Sequence, residues 1–183
     1  IQYRRHMETK KPLLTDTFLK FFLNLNLKNK TYLEIGSGNS TVFFSKQFKQ
    51  IISFEDSMVW YDKLDALKIP NVNLQFFKRD IVFDDCTECT GVKNKLKHYL
   101  QTANFIMIDN NPIRTSRTKF AKFVDEHKKP ESIIILDNGE KHLEAMSFLK
   151  SRYYCMDFPG KRYDDSFSVT SMFFTNDNYK KLL

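Results

Sequence analysis

The residues best suited to chemistry stand at the ends of short apolar runs. In "LEIGSGNST" a run carrying Glu34 leads into Gly36-x-Gly38, two of only five glycines in 183 residues. Glycines placed there let the backbone turn sharply and let a ligand approach main-chain atoms with no side chain in the way. A dinucleotide fingerprint would want a third glycine at position 41, and the chain has Thr41, so a pyrophosphate grip is disfavoured. Further on, "NFIMID" ends in Asp109 and "SIIILD" ends in Asp137, with Asn138 next. Three oxygen-bearing side chains converging on one point suit Mg²⁺, Mn²⁺ or Ca²⁺. The alternative is that Asp109 meets substrate or cofactor directly, while Asp137 and Asn138 cap a helix beginning near Gly139.

The elements that must position these groups are legible as alternating periods. "TDTFLKFFLNL" has Phe18, Phe21, Phe22 and Leu25 at helical spacing, with Asp16 near its start. A strand over Thr31 to Ile35, a helix from about Ser40 to Phe48 and a strand over Ile51 to Glu55 come after it. Next are a helix opened by Ser57 with Val59, Leu64 and Leu67, and the strand "NLQFFKR". A polar insertion from Asp84 to Lys97 precedes the strand ending at Asp109. Then come a helix with Phe120, Phe123 and Val124, the strand "SIIILD", a helix with Leu143, Met146 and Leu149, and the strands "YYCMDF" and "SVTSMFF". Short strands separated by helices predict a doubly wound α/β domain, with a mainly parallel seven-stranded sheet and helices on both faces. Its ligands are expected beyond the carboxyl ends of the strands. One domain is expected over residues 9–183, with residues 1–8 set apart as a tag or linker remnant because of "HM" at His6-Met7.

With the glycine turn between strand and helix, this sequence resembles the class I methyltransferases that use S-adenosylmethionine, whose first motif is an acidic residue followed by Gly-x-Gly. The resemblance runs from about Pro12 to Thr175 and implies a Rossmann-like methyltransferase fold. It implies that Glu34, Gly36, Ser37 and Gly38 border the cofactor, Glu34 and Gly36 at its methionine part. Glu55, 19 residues after Gly36, falls where the family places a carboxylate for both ribose hydroxyls. Asp80, followed by Ile81, stands where the adenine amino group is held. Trp60 would pack near the adenine, and Asp56 and Asp109 complete the implied cofactor set.

The residues after the fourth strand narrow the acceptor. Exocyclic-nitrogen methyltransferases carry Asp/Asn-Pro-Pro-aromatic there, whereas "IDNNPIRT" lacks the second proline and the aromatic residue. Asp109, Asp137 and Asn138 are similar to the residues that hold a divalent ion in O-methyltransferases of the catechol and caffeoyl type. Such an ion would lower a hydroxyl pKa and orient its oxygen. The catechol enzymes place a lysine base three residues after the first aspartate, where this chain has Pro112. The proton must then go to His142, Lys141, Asp109 itself or a residue of the late loop "FPGKRYDDSFS". Asp109 and His142 are the candidate catalytic residues, His142 because an imidazole titrates near neutrality.

The reading is an O-methyltransferase for a hydroxyl of a small molecule or glycan, with a sugar hydroxyl favoured. The insertion and the loop "FPGKRYDDSFS" would set specificity through Phe158, Lys161, Arg162 and Tyr163. RNA ribose methylation, a cofactor-binding scaffold and an NAD-dependent oxidoreductase remain as alternatives. A formal charge of +7 spread along the chain gives nucleic acid little support. No apolar run approaches the roughly 20 residues that cross a bilayer. Cys86, Cys89 and Cys155 make no disulfide framework, and the C-x-x-C pair lacks a partner for zinc. A cytoplasmic setting is expected, a virus-encoded protein in a host cytoplasm included, and the domain would suit a longer, glycan-building chain.

Overall fold

A computed structural model describes residues 11–77, 87–110 and 117–178. Asp80, Ile81, Cys86 and the Asn111-Pro112 stretch lie outside the described residues. The described chain runs α1 (Asp16–Phe22), β1 (Thr31–Ile35), α2 (Asn39–Phe44), β2 (Gln50–Glu55), α3 (Met58–Asp65), β3 (Val72–Phe76) and α4 (Thr87–Leu100). It continues through β4 (Phe105–Ile108), α5 (Arg117–His127), β5 (Ile133–Leu136), a 3₁₀ turn (Gly139–Lys141), α6 (Leu143–Lys150), β6 (Tyr154–Lys161) and β7 (Phe167–Phe174).

These strands form one seven-stranded sheet in the order β3-β2-β1-β4-β5-β7-β6. Strands β1 to β5 pair in parallel, and β7 lies antiparallel between β5 and β6. Every residue of "FIMI" and "IIIL" is buried, as expected of strands covered on both faces. The side-chain alternation sorts them into two cores. Leu33, Ile35, Ile106, Ile108, Ile134 and Leu136 face α4, α5 and α6. Tyr32, Phe105, Met107, Ile133 and Ile135 face α1 and the α2 region.

The topology brings the chemistry to one edge. Ile35 lies opposite both Phe54 and Ile108 in register, and Ile108 lies opposite Leu136. Gly36, Asp109 and Asp137 therefore leave the sheet side by side, with Glu55 closing the neighbouring strand. Strand order reverses between β1 and β4, which is where such sheets form a ligand crevice.

Three local expectations are corrected. From Thr87 on, the segment read as an insertion over Asp84 to Lys97 belongs to α4, whose Leu96 and Leu100 are buried at i, i+4 with Val92 packed against the same core. Helix α2 ends at Phe44, and a turn carries the chain on to Phe48. The late loop is mostly strand: β6 runs through Pro159 and Gly160 to Lys161, leaving only residues 162–166 as the turn. Proline is tolerated because β6 is an edge strand. Helix α1 approaches β6 closely at Gly160, where a Cβ would lie 2.5 Å from Asp16 Oδ1 and 2.9 Å from Thr17 Oγ1. Phe158 is likewise core, buried against Phe18 and Phe21, and is not a specificity residue.

Helix α1 is held by aromatic contact. Phe22 is fully buried, with its ring edge-on to Phe44 (centroids 5.6 Å apart) and to Phe105 (5.1 Å). Replacement Phe22→Ala should cost roughly 3–5 kcal/mol, read as a lower urea midpoint at unchanged slope.

Candidate functional site

The turn after β1 is built from its own backbone outward. Gly36 N–H donates to Phe54 O (2.8 Å) and Asp109 N–H to Ile35 O (2.9 Å), so the turn is clamped between the ends of β2 and β4. Gly36 has φ +98°, and a Cβ there would lie 2.6 Å from Asp109 O and 2.7 Å from Asn110 N. Only glycine meets both demands. Gly38 differs: nothing lies within 4 Å of the position its Cβ would take, so the backbone there faces open space.

Glu34 braces this turn from beneath. It is fully buried, and its carboxylate accepts from Ser40 Oγ (2.9 Å), Ser53 Oγ (2.8 Å) and Thr41 Oγ1. Thr41 Oγ1 also accepts from Gly38 N–H (3.0 Å). Glu34 thus acts on the turn, with its carboxylate taken up by these three hydroxyls. Burial lifts its pKa to about 7 against the opposing pull of the three hydroxyls. Glu55 closes β2 nearby. Ser37 N–H donates to its Oε2 (2.6 Å) and Ser57 N–H to its Oε1 (2.7 Å), and burial pushes its pKa up while these amides pull it down. Ser37 Oγ lies 2.5 Å from Ser53 Oγ, Asp56 is half-buried beside Glu55, and Trp60 on α3 is partly exposed with Lys63 Nζ 4.9 Å from its ring centroid.

Beside the turn, the ends of β4 and β5 are tied by two arginines. Arg117, buried at the start of α5, donates from Nε to Asn110 O (3.0 Å), from one terminal nitrogen to Asp137 O, and from the other to Asp109 Oδ1 (2.9 Å). Arg162, just after β6, donates to Asp137 Oδ2 (2.7 Å), Asn138 Oδ1 and Ser168 Oγ (3.1 Å). Asp137 Oδ1 accepts from Thr170 Oγ1 (2.8 Å). Ser168 Oγ lies 3.0 Å from both Asn138 Oδ1 and Glu140 Oε1. Burial raises the pKa of Asp109 and Asp137, and both arginines oppose it.

The structure therefore gathers Asp109, Asp137 and Asn138 at one edge, but it does not leave them free for a metal. A guanidinium bridges Asp137 and Asn138, a second holds Asp109, and Thr170 takes the other Asp137 oxygen. The expected divalent centre does not fit the residues so arranged. Among the described residues, no group of three or more His, Cys, Asp and Glu side chains could hold a metal ion. Nor does Asn138 cap a helix: it is left-handed (φ 54°) and makes no side-chain cap bond to the 3₁₀ turn. His142 is half-buried just before α6, and burial, with the charge of Arg117, lowers its pKa to about 4. It is neutral at pH 7 but a weak base there, which removes the reason for choosing it as the proton acceptor.

Arg117 was not among the residues singled out by sequence. The signal was present, since Arg117 shares a helix face with Phe120, Ala121 and Val124, all buried. A groove of about 700 Å³, lined by Asn24, Lys30, Asn104, Lys129 and Asn178, opens at the amino ends of β1, β4 and β5. It lies at the opposite edge of the sheet from these residues.

Strand order and glycine turn together give the chain the class I methyltransferase fold. Solved structures match over most of their length. The O-methyltransferase TomG of Streptomyces achromogenes, involved in tomaymycin synthesis and solved with S-adenosylmethionine, is 10% identical over 95% of this chain and 79% of that one, with TM-score 0.57. An S-adenosylmethionine-dependent methyltransferase of Aquifex aeolicus is 10% identical over 94% and 96%, TM-score 0.59. The precorrin 8w decarboxylase of Methanobacterium thermoautotrophicum is 12% identical over 93% and 97%, TM-score 0.58. At these identities the likeness is one of fold. No family model and no curated protein sequence matches the chain.

Glu34 carries a pH signature. Its folded pKa, about 7, lies above the ordinary value of 4.5, so the folded state holds the proton more tightly between these limits. Its contribution to stability is present below pH 4.5 and lost as pH rises through about 7. In urea unfolding across that window, the stability of Glu34→Gln relative to wild type should therefore shift in the variant's favour as pH rises.

Proposed function

We propose that the chain is an S-adenosylmethionine-dependent O-methyltransferase acting on a hydroxyl of a small molecule or glycan. The observation that carries this reading is the reversal of strand order between β1 and β4, beside which Gly38 presents an open backbone and Glu55 ends the neighbouring β2. The residues present fit the cofactor. Each Glu55 oxygen already accepts one backbone N–H and keeps a lone pair for a ribose hydroxyl. Gly38 would let the amino-acid part of the cofactor lie against the main chain, and Trp60 offers an exposed ring for the adenine.

Bound S-adenosylmethionine supplies an electrophilic methyl group. The chain's own task is then to hold an acceptor oxygen in line and take its proton. Asp109 is suited to both: it ends β4 beside the glycine turn, its side chain is 28% exposed, and burial makes it more basic than an ordinary carboxylate. The Arg117 bond to Oδ1 leaves Oδ2 to face the acceptor and fixes the carboxylate in one orientation. A sugar hydroxyl is the favoured acceptor. The β6–β7 hairpin carries Tyr163 and Phe167 as exposed rings near Arg162, and such rings pack against the faces of sugars and phenols.

Calorimetric titration with S-adenosylhomocysteine, with NAD as control, tests the cofactor. One site for the homocysteine compound and none for NAD is expected, and Glu55→Ala should weaken it roughly tenfold to a hundredfold. Binding of NAD instead would make the glycine turn a dinucleotide turn and end this proposal. On a panel of hydroxyl acceptors, Asp109→Asn, which keeps an oxygen for Arg117, should abolish methyl transfer, and unchanged turnover would remove Asp109 from the mechanism.

A further inference from the structure

Two of the three side chains that could chelate a divalent ion, Asp137 and Asn138, already hold a cation of the protein's own. We propose that the Arg162 guanidinium is a built-in substitute for that ion, so that the centre works without metal and selects single hydroxyls over adjacent pairs. Arg162 touches Asp137 Oδ2 and Asn138 Oδ1 together, the two ligands supplied by the end of β5, and Ser168 Oγ completes its surroundings. Its side chain is 10% exposed and that of Asp137 1%, so this is an interior ion pair and not a surface contact.

Charge and tethering both favour the arginine. The carboxylates of Asp109 and Asp137 already face the guanidiniums of Arg117 and Arg162, and Glu140 reaches the same edge through Ser168. A divalent ion would bring its two charges up against both guanidiniums, or would have to expel one that cannot shed its proton. The competitor is also tethered. Arg162 is the first residue of a five-residue turn closed by its own N–H to Ser166 O (2.8 Å), and the strands on either side are paired in register from Tyr154–Phe174 to Lys161–Phe167. A group held this way competes at an effective concentration of order millimolar or more, and Mg²⁺ sheds its water reluctantly.

The consequence for substrate choice rests on the methyltransferase reading. A chelated ion favours acceptors that offer two neighbouring oxygens. A monodentate contact to Asp109, with Arg162 occupied by Asp137 and Asn138, makes no such demand. Arg162 is thus a positioning residue: it fixes Asp137 and Asn138 and locks the β6–β7 hairpin to the end of β5.

The test is Mn²⁺ titration of the whole chain, monitored by the loss of the free-ion electron paramagnetic resonance signal. Wild type should show no site at millimolar Mn²⁺. Arg162→Ala, which frees the oxygens of Asp137, Asn138 and Ser168, should gain one site at least about tenfold tighter than any residual binding, and adding Asp137→Asn should remove it. Arg162→Lys, which keeps a tethered charge, should stay closed. Arg162→Gln serves in place of the alanine variant if that variant does not fold. A wild-type site abolished by Asp137→Asn would overturn the proposal, as would a folded Arg162→Ala or Arg162→Gln that gains nothing. S-adenosylhomocysteine titration of the same samples keeps the two questions apart. Cofactor binding together with a wild-type Mn²⁺ site would sink only the metal-free centre, whereas no cofactor binding would sink the methyltransferase reading whatever Mn²⁺ does.

Discussion

A carboxylate withdrawn from water must be met by a partner or give up its charge, and this constraint organises the working edge of the sheet. Asp109 and Asp137 end adjacent parallel strands, and Arg117 spans them, taking a side-chain oxygen of the first and a backbone carbonyl of the second. Remove that guanidinium and two strand ends, a half-buried carboxylate and the first turn of α5 lose their common anchor. Arg162 then answers Asp137 from the far side, and through it the hairpin is drawn over the end of β5. The cluster is specific because its planar donors fit these oxygens in few orientations.

On the other side of the crevice the same principle operates with hydroxyls. Among the described residues no cation pairs with Glu34; Ser40, Thr41 and Ser53 satisfy it, and burial moves it toward neutrality. The brace reaches both the turn and the start of α2, since Thr41 touches Glu34 and Gly38 alike. A motif commonly read as a binding loop is in this chain also a packing device: Gly36 exists for its clearance against Asp109, and Gly38 alone opens outward. Binding and folding use different glycines of one motif.

The sheet was readable because each strand carries its own period and each crossover its own apolar stripe. "FIMI" and "IIIL" need no tertiary information to be read as buried strands, and Glu55, Asp109 and Asp137 are found where those runs stop. What misled was composition. Two cysteines and a run of polar residues hid the Val92, Leu96, Leu100 stripe of α4, and Pro159-Gly160 disguised an edge strand as a loop. The metal reading failed for a different reason. Ligand types can be counted along a sequence, but Arg162 lies 24 residues beyond Asn138 and reaches it only through a hairpin whose register no local pattern specifies. Arg117 could have been found, because a charged residue on an apolar helix face announces a buried partner.

Strand β7 enters the sheet between β5 and β6 although it is the last to be made. Asp137 waits for it: Thr170 lies on β7, and Arg162 is held at the mouth of the hairpin that β7 closes. The Glu34 brace, the Gly36 clamp and the Glu55 amide contacts, by contrast, all lie within residues 34 to 109. During synthesis on the ribosome, the β1–β2 side of the strand-order reversal can therefore assemble first. The Asp137 side matures only once β7 has been made, so the two banks of one working edge are completed at different times.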